Sequence, residues 1–234
     1  MNTQSPHTTP PLSVIVPVLN EAGQIPALAR NLRSTALAPG HEILLVDGGS
    51  HDDTPAAAQA HGLRMITATA GRARQLNAGA RATRHPLLLF LHADTRLPAG
   101  ADRLVQQALG APAPVWGRFD VTISGRHPLL PVVAALMNRR SRLTGIATGD
   151  QALFMRREAF DAVGGFPDQP LMEDIEMSRR LKRLGPPACL PEQVLTSGRR
   201  WERHGVAATI LLMWRLRFDY WRGVPADRLA QRYR

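Results

Sequence analysis

Over the first hundred positions, apolar residues fall in short unbroken runs, separated by longer stretches in which they recur at a helical spacing. Leu12-Ser13-Val14-Ile15-Val16 closes on Pro17. Asn20-Glu21 then leads into Ile25, Leu28, Ala29 and Leu32, the recurrence of one helix face. Glu42 to Asp47 makes a second run, followed by Gly48-Gly49-Ser50 and by Asp52-Asp53-Thr54-Pro55 ahead of an alanine-rich helix. Leu63 to Ala68 predicts a third strand, Arg72 to Thr83 a third helix, and Leu87 to Leu91 a fourth strand. Strands alternating with helices in this way predict right-handed βαβ crossovers. The runs lack polar alternation, as expected for strands covered on both faces. The predicted fold class is therefore α/β, a central, mostly parallel sheet flanked by helices.

Beyond about residue 112 the pattern loosens. Val115 to Ser124 alternates like an edge or hairpin strand, His127 to Leu143 is helical, and Gly145 to Arg156 holds a further strand. Pro167 to Pro170 interrupts the chain before a helix expected over Met172 to Leu184. A last helix is expected over Glu202 to Arg222, with Trp201, Trp214, Phe218 and Trp221 as large apolar anchors. A chain of 234 residues suits one large domain. Residues 1–11 lack the charged and apolar regions of a signal peptide and read as a disordered leader. Residues 12–234 form the domain, with 12–112 as its nucleotide-binding half and 113–234 as the half carrying the C-terminal helix.

Composition narrows the classes. With 44% hydrophobic and 21% charged residues the chain is not of the disordered type. The apolar run Val206 to Trp214 is too short to span a bilayer, which takes roughly 20 residues. Cys189 is the only cysteine and can form no internal disulfide, so a reducing, cytoplasmic setting is expected. The net charge of +10 comes almost wholly from arginine, Lys182 being the only lysine. Guanidinium groups suit phosphates and carboxylates, which admits nucleotides, nucleic acid and anionic headgroups, although an arginine-favouring codon bias explains the same excess. No helix-turn-helix signature or aromatic platform accompanies the charge, so no nucleic-acid partner is expected.

In an open parallel sheet, ligands bind where strands end at their carboxyl side. Pro17, Asn20 and Glu21 follow the first strand, Asp47 ends the second, and Asp94 follows the fourth in PLLLFLHADTRLP. Carboxylates gathered on one edge repel each other unless a cation or a donor-rich ligand joins them. A divalent metal shared with a diphosphate meets that need, and Asp94 is the best-placed ligand. Helix capping explains Asp52 and Asp53 equally well. It explains Asp94 poorly, because Thr95 is the natural cap of the next helix and Pro98 would sit just inside it.

The motifs PVLNE (17–21), LLVDGGSHDDT (44–54), LFLHADT (89–95) and MEDIEMSRRL (172–181), in this order and spacing, resemble family 2 glycosyltransferases of the GT-A fold. The likeness runs from Leu12 to the final helix. The HADT variant, with GRARQLNAGA before it and SGRRWERHG after it, is similar to a bacterial subgroup of small soluble members. The resemblance implies inverting transfer of a sugar from a UDP- or GDP-sugar to an acceptor hydroxyl, with Mg²⁺ or Mn²⁺ as cofactor. It implies that Pro17, Asn20, Glu21 and Asp47 hold the base and ribose and that Asp94 ligates the metal. His92 stands where many relatives carry Asp, and it fits metal, ribose or a satisfied core position. Arg74 is implied at the diphosphate, with Arg72 as its rival, and Asp150 in Gly149-Asp150-Gln151 near sugar or acceptor. Asp174 is implied as the general base; the helix dipole accounts for its neighbour Glu173. His204, after Arg199-Arg200-Trp201, is a candidate metal ligand or a surface residue.

The sequence names no acceptor and no oligomeric state, and lipid-linked acceptors are among those that fit. Two other functions compete. A nucleotidyltransferase would need a basic, glycine-rich loop after the first strand, which PVLNEAGQ lacks. A non-catalytic membrane-surface module is suggested by WERHGVAATILLMWRLRFDYWRG, which suits either a helix lying on a bilayer or a terminal helix packed on the domain.

Overall fold

The computed structural model describes residues 10–110 and 112–233. Residues 1–9 of the expected leader lie outside the described residues. The elements run β1 (Leu12–Val18), α1 (Ile25–Asn31) continued by a π-helical turn (Leu32–Ala36), β2 (Glu42–Asp47), α2 (Thr54–Ala60), β3 (Arg64–Thr67), α3 (Arg72–Ala82), β4 (Leu87–Phe90) and α4 (Ala101–Leu109). The second half runs β5 (Trp116–Ser124), α5 (Leu130–Thr144), a 3-10 turn (Gly149–Gln151), β6 (Phe154–Arg156), α6 (Arg157–Ala162), α7 (Glu173–Leu181), β7 (Ala188–Ser197), α8 (Arg199–His204), α9 (Val206–Trp221) and α10 (Ala226–Tyr233).

One seven-stranded sheet has the order β3-β2-β1-β4-β6-β5-β7. β1 pairs in parallel with β2 and β4, so both chain reversals pass through helices. Only β6 runs against its neighbours β4 and β5. Alternate residues of β1 enter different cores: Leu12, Val14 and Val16 pack with α1 and α4, whereas Ile15 packs with Leu76 and Ala80 of α3. Helix α3 lies close because Gly79 faces the sheet; a Cβ there would stand 2.4 Å from Ile15 Cγ2. Among the described residues, no helix is long and apolar enough to cross a membrane.

The strand expected within Gly145 to Arg156 is present as the short β6. Four other expectations need correction. The strand over Val115 to Ser124 is interior, flanked by β6 and β7. Its charged positions are buried ions, not solvent contacts: Arg118 pairs with Asp120, and Asp120 also takes Arg142 Nη2 at 2.7 Å. β7 was not expected, since Pro191 and Glu192 interrupt its apolar pattern. These two fall where the pairing register jumps between Phe119 and Asp120, a bulge on an edge strand that tolerates proline. The last helix is broken at Gly205, whose φ of +80° suits glycine, and a further helix, α10, follows it. Finally, Thr95 caps nothing: α4 begins six residues later at Ala101, and Thr95 Oγ1 instead meets Thr196 Oγ1 of β7 at 3.1 Å.

Candidate functional site

The carboxyl ends of β1, β4, β5 and β7 open into a cleft of ≈ 550 Å³, closed on its far side by α7, α8, α9 and α10. Pro17, Glu21, Arg72, His92, Asp94, Asp150, Glu173, Asp174, Arg200 and Tyr233 all line it. Its walls come from both halves of the chain. Non-glycine residues in the left-handed region also gather here: Asn20 (φ 54°), Ala152 (φ 48°) and Met172 (φ 66°). Such strain costs about 1–3 kcal/mol per residue and persists where the surroundings enforce it.

Gln75 of α3 fixes the first wall. Its Nε2 donates to the carbonyls of Val18 at 2.9 Å and Val46 at 2.8 Å, tying the ends of β1 and β2 together. Asp47 is buried and turned into its own loop, accepting from the N–H groups of Gly49 and Ser50 and from Ser50 Oγ at 2.5 Å. Ser50 Oγ in turn accepts from the Asn20 N–H at 2.9 Å, and Asn20 Oδ1 accepts from His51 N–H at 2.8 Å. Asn20 and Asp47 thus brace the two loops beside the cleft and are absent from its lining.

Two carboxylates of the lining, Glu21 and Asp94, share one guanidinium from outside it. Arg199 Nη2 stands 3.6 Å from Glu21 Oε2 and 3.6 Å from Asp94 Oδ2. Burial raises the Glu21 carboxyl above the ordinary range; Arg199 opposes the rise and the charge of Asp94 adds to it. Among the described residues, no three His, Cys, Asp or Glu side chains gather to hold a metal. The donor set therefore suits a cation that takes one or two carboxylates from the protein and its other ligands from phosphate oxygens, the usual manner of Mg²⁺. Asp94 fits that role chemically, with Glu21 beside it. His204 ends α8, is exposed, and does not line the cleft.

Arg72, the first residue of α3 and next to its N-cap Gly71, reaches Glu173 Oε1 at 3.2 Å and lines the cleft. Arg74 points elsewhere, its Nε donating to Asp168 Oδ1 at 2.8 Å on the surface. Residues two apart on a helix face nearly opposite ways, so only one of the two can serve the cleft.

The floor is a linked pair of carboxylates. His92 Nδ1 stands 3.3 Å from Asp150 Oδ1, and Gly149 packs so tightly on the ring that a Cβ there would lie 2.3 Å from His92 Nε2. Burial works to raise the Asp150 carboxyl, but His92, Arg72 and Arg140 outweigh it and hold it below the usual range. The Gly149 N–H donates to Asp174 Oδ2 at 2.8 Å. Asp174 goes the other way: burial first and the charge of Glu173 second raise it from 3.8 to about 6, against the Gly149 N–H and Arg72. Two nearby acids pushed apart can divide labour, one staying ionised while the other exchanges a proton near neutrality.

Several lining residues carried little signal in sequence. Arg200 lies 3.7 Å from the ring centroid of Tyr233 and donates to the Tyr233 carbonyl at 2.7 Å. The SGRRWERHG motif pointed to Arg199 and Arg200 without a role. Tyr233 had no signal, because α10 itself was unforeseen.

The model of a family described as glycosyl transferase family 2 matches residues 13–164. Asp174 lies beyond the matched stretch. Among solved structures, the chain is similar to the mannosyltransferase PcManGT from Pyrobaculum calidifontis, solved with GDP-Man and Mn²⁺, at 25% identity and a TM-score of 0.64. That match covers 82% of this chain but 58% of the mannosyltransferase, so the chain spans less than two thirds of its length. Glucosyl-3-phosphoglycerate synthase from Mycobacterium tuberculosis, solved with Mn²⁺, UDP and glucosyl-3-phosphoglycerate, matches at 23% identity and TM-score 0.56 over 80% of this chain and 70% of that one. TarS 1-349 of S. aureus, solved with UDP-GlcNAc, matches at 16% identity and TM-score 0.61 over 80% and 58%. These last two share the fold.

Proposed function

The chain belongs to glycosyl transferase family 2, and from that premise we propose that its cleft transfers a sugar from a nucleotide-diphosphate sugar to an acceptor hydroxyl with inversion at the anomeric carbon. The observation that carries this reading is the placing of carboxylates on two sides of one cleft, with Glu21 and Asp94 in the loops after β1 and β4 and Asp174 at the start of α7.

The loops after β1 and β2, stiffened by Asn20, Asp47 and Ser50, receive the base and ribose, and Pro17 and Glu21 meet them in the cleft. Either UDP or GDP suits this edge. A divalent ion, Mg²⁺ or Mn²⁺, held by Asp94 would neutralise the diphosphate and ease its departure. Arg72 and Arg200 contribute positive charge along the cleft, where guanidinium groups pair well with phosphate oxygens. In this account Arg72 takes the diphosphate role that the resemblance gave to Arg74. Arg199, shared by Glu21 and Asp94, stands in for a cation and is free to turn to phosphate when one arrives.

Asp174 is the general base. It takes the proton of the acceptor hydroxyl as that oxygen attacks the anomeric carbon, and the nucleoside diphosphate leaves from the opposite side. Asp150, kept ionised and positioned by His92, accepts hydrogen bonds from sugar hydroxyls and does not compete for the proton.

A panel of UDP- and GDP-sugars with Mn²⁺ or Mg²⁺ tests the reading, following slow donor hydrolysis and the anomeric form of the released sugar. Metal-dependent hydrolysis of at least one donor with inversion supports it. Hydrolysis of none, or retention, contradicts it.

A further inference from the structure

Helix α9 has two unlike sides. Val206, Thr209 and Leu216 are buried, and Thr209, Met213 and Arg217 line the cleft. Away from them Ala207, Leu211, Trp214, Phe218 and Trp221 recur at alternating spacings of four and three, which keeps them on one face. That face is bare: Leu211 and Trp214 are 66% exposed, Phe218 53% and Trp221 80%. Single exposed apolar residues are ordinary, but a continuous stripe of aromatic ones marks a contact surface.

The charges around the stripe say what covers it. Arg215 and Arg222 flank it, with the Arg222 guanidinium 5.7 Å from the Phe218 ring centroid. Asp219, the only acid of α9, is neutralised by Arg232 at 2.7 Å. Helix α5 shares a core cluster with Val206 and Ile210 of α9, and it exposes Leu129, Val132 and Leu136 at its start. Its sequence has no acid and adds the exposed Arg139. A second copy of a chain with net charge +10 would set these arginines against each other. An anionic bilayer surface complements both features, since tryptophan rings settle at headgroup level and arginines pair with headgroup phosphates.

We propose that the exposed face of α9 docks on an anionic lipid surface and that the acceptor hydroxyl is borne on a lipid in that surface. The opposite side of the same helix lines the cleft through Thr209, Met213 and Arg217, so docking holds the cleft one helix diameter, ~10 Å, from the headgroups. The acceptor half of this proposal rests on the glycosyl-transfer reading, while the docking half does not.

The test is co-sedimentation of the full chain with vesicles of phosphatidylcholine alone or mixed with phosphatidylglycerol. Binding to the anionic vesicles is expected to exceed that to neutral ones by about tenfold or more. A Trp214→Ser, Phe218→Ser, Trp221→Ser variant should lose about tenfold or more in binding while keeping its melting temperature and its donor hydrolysis. Arg215→Gln with Arg222→Gln should lose the preference for anionic vesicles. Docking is overturned if wild type does not sediment with anionic vesicles or if the triple variant binds equally well. A wild-type dimer that the triple variant abolishes overturns it too, because a second copy then covers the stripe. Absent docking with intact donor hydrolysis sinks this proposal alone, and intact docking with no donor hydrolysed sinks the transfer reading instead.

Discussion

Replacing Asp174 with asparagine removes a negative charge that folding sets beside another. Burial and then Glu173 move the Asp174 carboxyl from 3.8 to about 6. An acid raised on folding binds its proton more tightly in the folded chain. The folded protein therefore carries more protons through this window and loses stability as pH rises from about 4 to about 6. At ~1.4 kcal/mol per pH unit the change corresponds to roughly 3 kcal/mol. Water in the open cleft screens part of this, leaving about 1–3 kcal/mol. Asp174→Asn carries no such penalty, so at pH 8 it should melt about 2–10 °C above wild type. Near pH 4, where wild-type Asp174 is protonated, the two should melt together. Transfer should vanish in the variant, and wild-type turnover should fall about tenfold per pH unit below about 6. Thermal melts across this pH range, run beside the transfer assay, decide the matter. A variant no more stable than wild type at pH 8, or one with full turnover, would refute the reasoning.

Two further substitutions probe the neighbouring contacts. Arg199→Gln removes the guanidinium that Glu21 and Asp94 share. An exposed pair of this kind is worth up to about 1 kcal/mol, so Mn²⁺ measured by calorimetry without nucleotide should bind up to about fivefold more tightly; weaker binding would show that Arg199 does not compete for the site. Gly149→Ala drives a Cβ to 2.3 Å from His92 Nε2 and shifts the N–H that holds Asp174. Turnover should fall on the order of a hundredfold with circular dichroism unchanged, and a variant of wild-type activity would detach this turn from the chemistry.

Residues 12–112 were legible because buried parallel strands write themselves as unbroken apolar runs, and β1, β2 and β4 all do so. The second half hides its strands. In β5 the ions Arg118 and Asp120 pair with each other inside the protein and imitate a solvent-facing alternation. In β7 a bulge absorbs Pro191 and Glu192, residues that on their face deny a strand. The cleft was legible on one side for a similar reason. Loops after parallel strands converge by topology, so Glu21 and Asp94 could be grouped from order alone. Which arginine of GRARQLNAGA faces inward depends on the setting of α3 against Glu173 and Asp168, partners about a hundred residues away. Tyr233 enters the cleft through α10, whose docking on α9 no local pattern announces.

The central claim is that this cleft binds a nucleotide diphosphate together with a divalent cation held by Asp94. Calorimetric titration of UDP and GDP into the full chain, with and without Mn²⁺, for wild type and Asp94→Ala, tests it most directly. The account predicts that one of the two nucleotides binds wild type markedly more tightly with Mn²⁺ and that Asp94→Ala binds it equally with or without the metal. Binding of neither nucleotide, or a metal effect that survives Asp94→Ala, would contradict it.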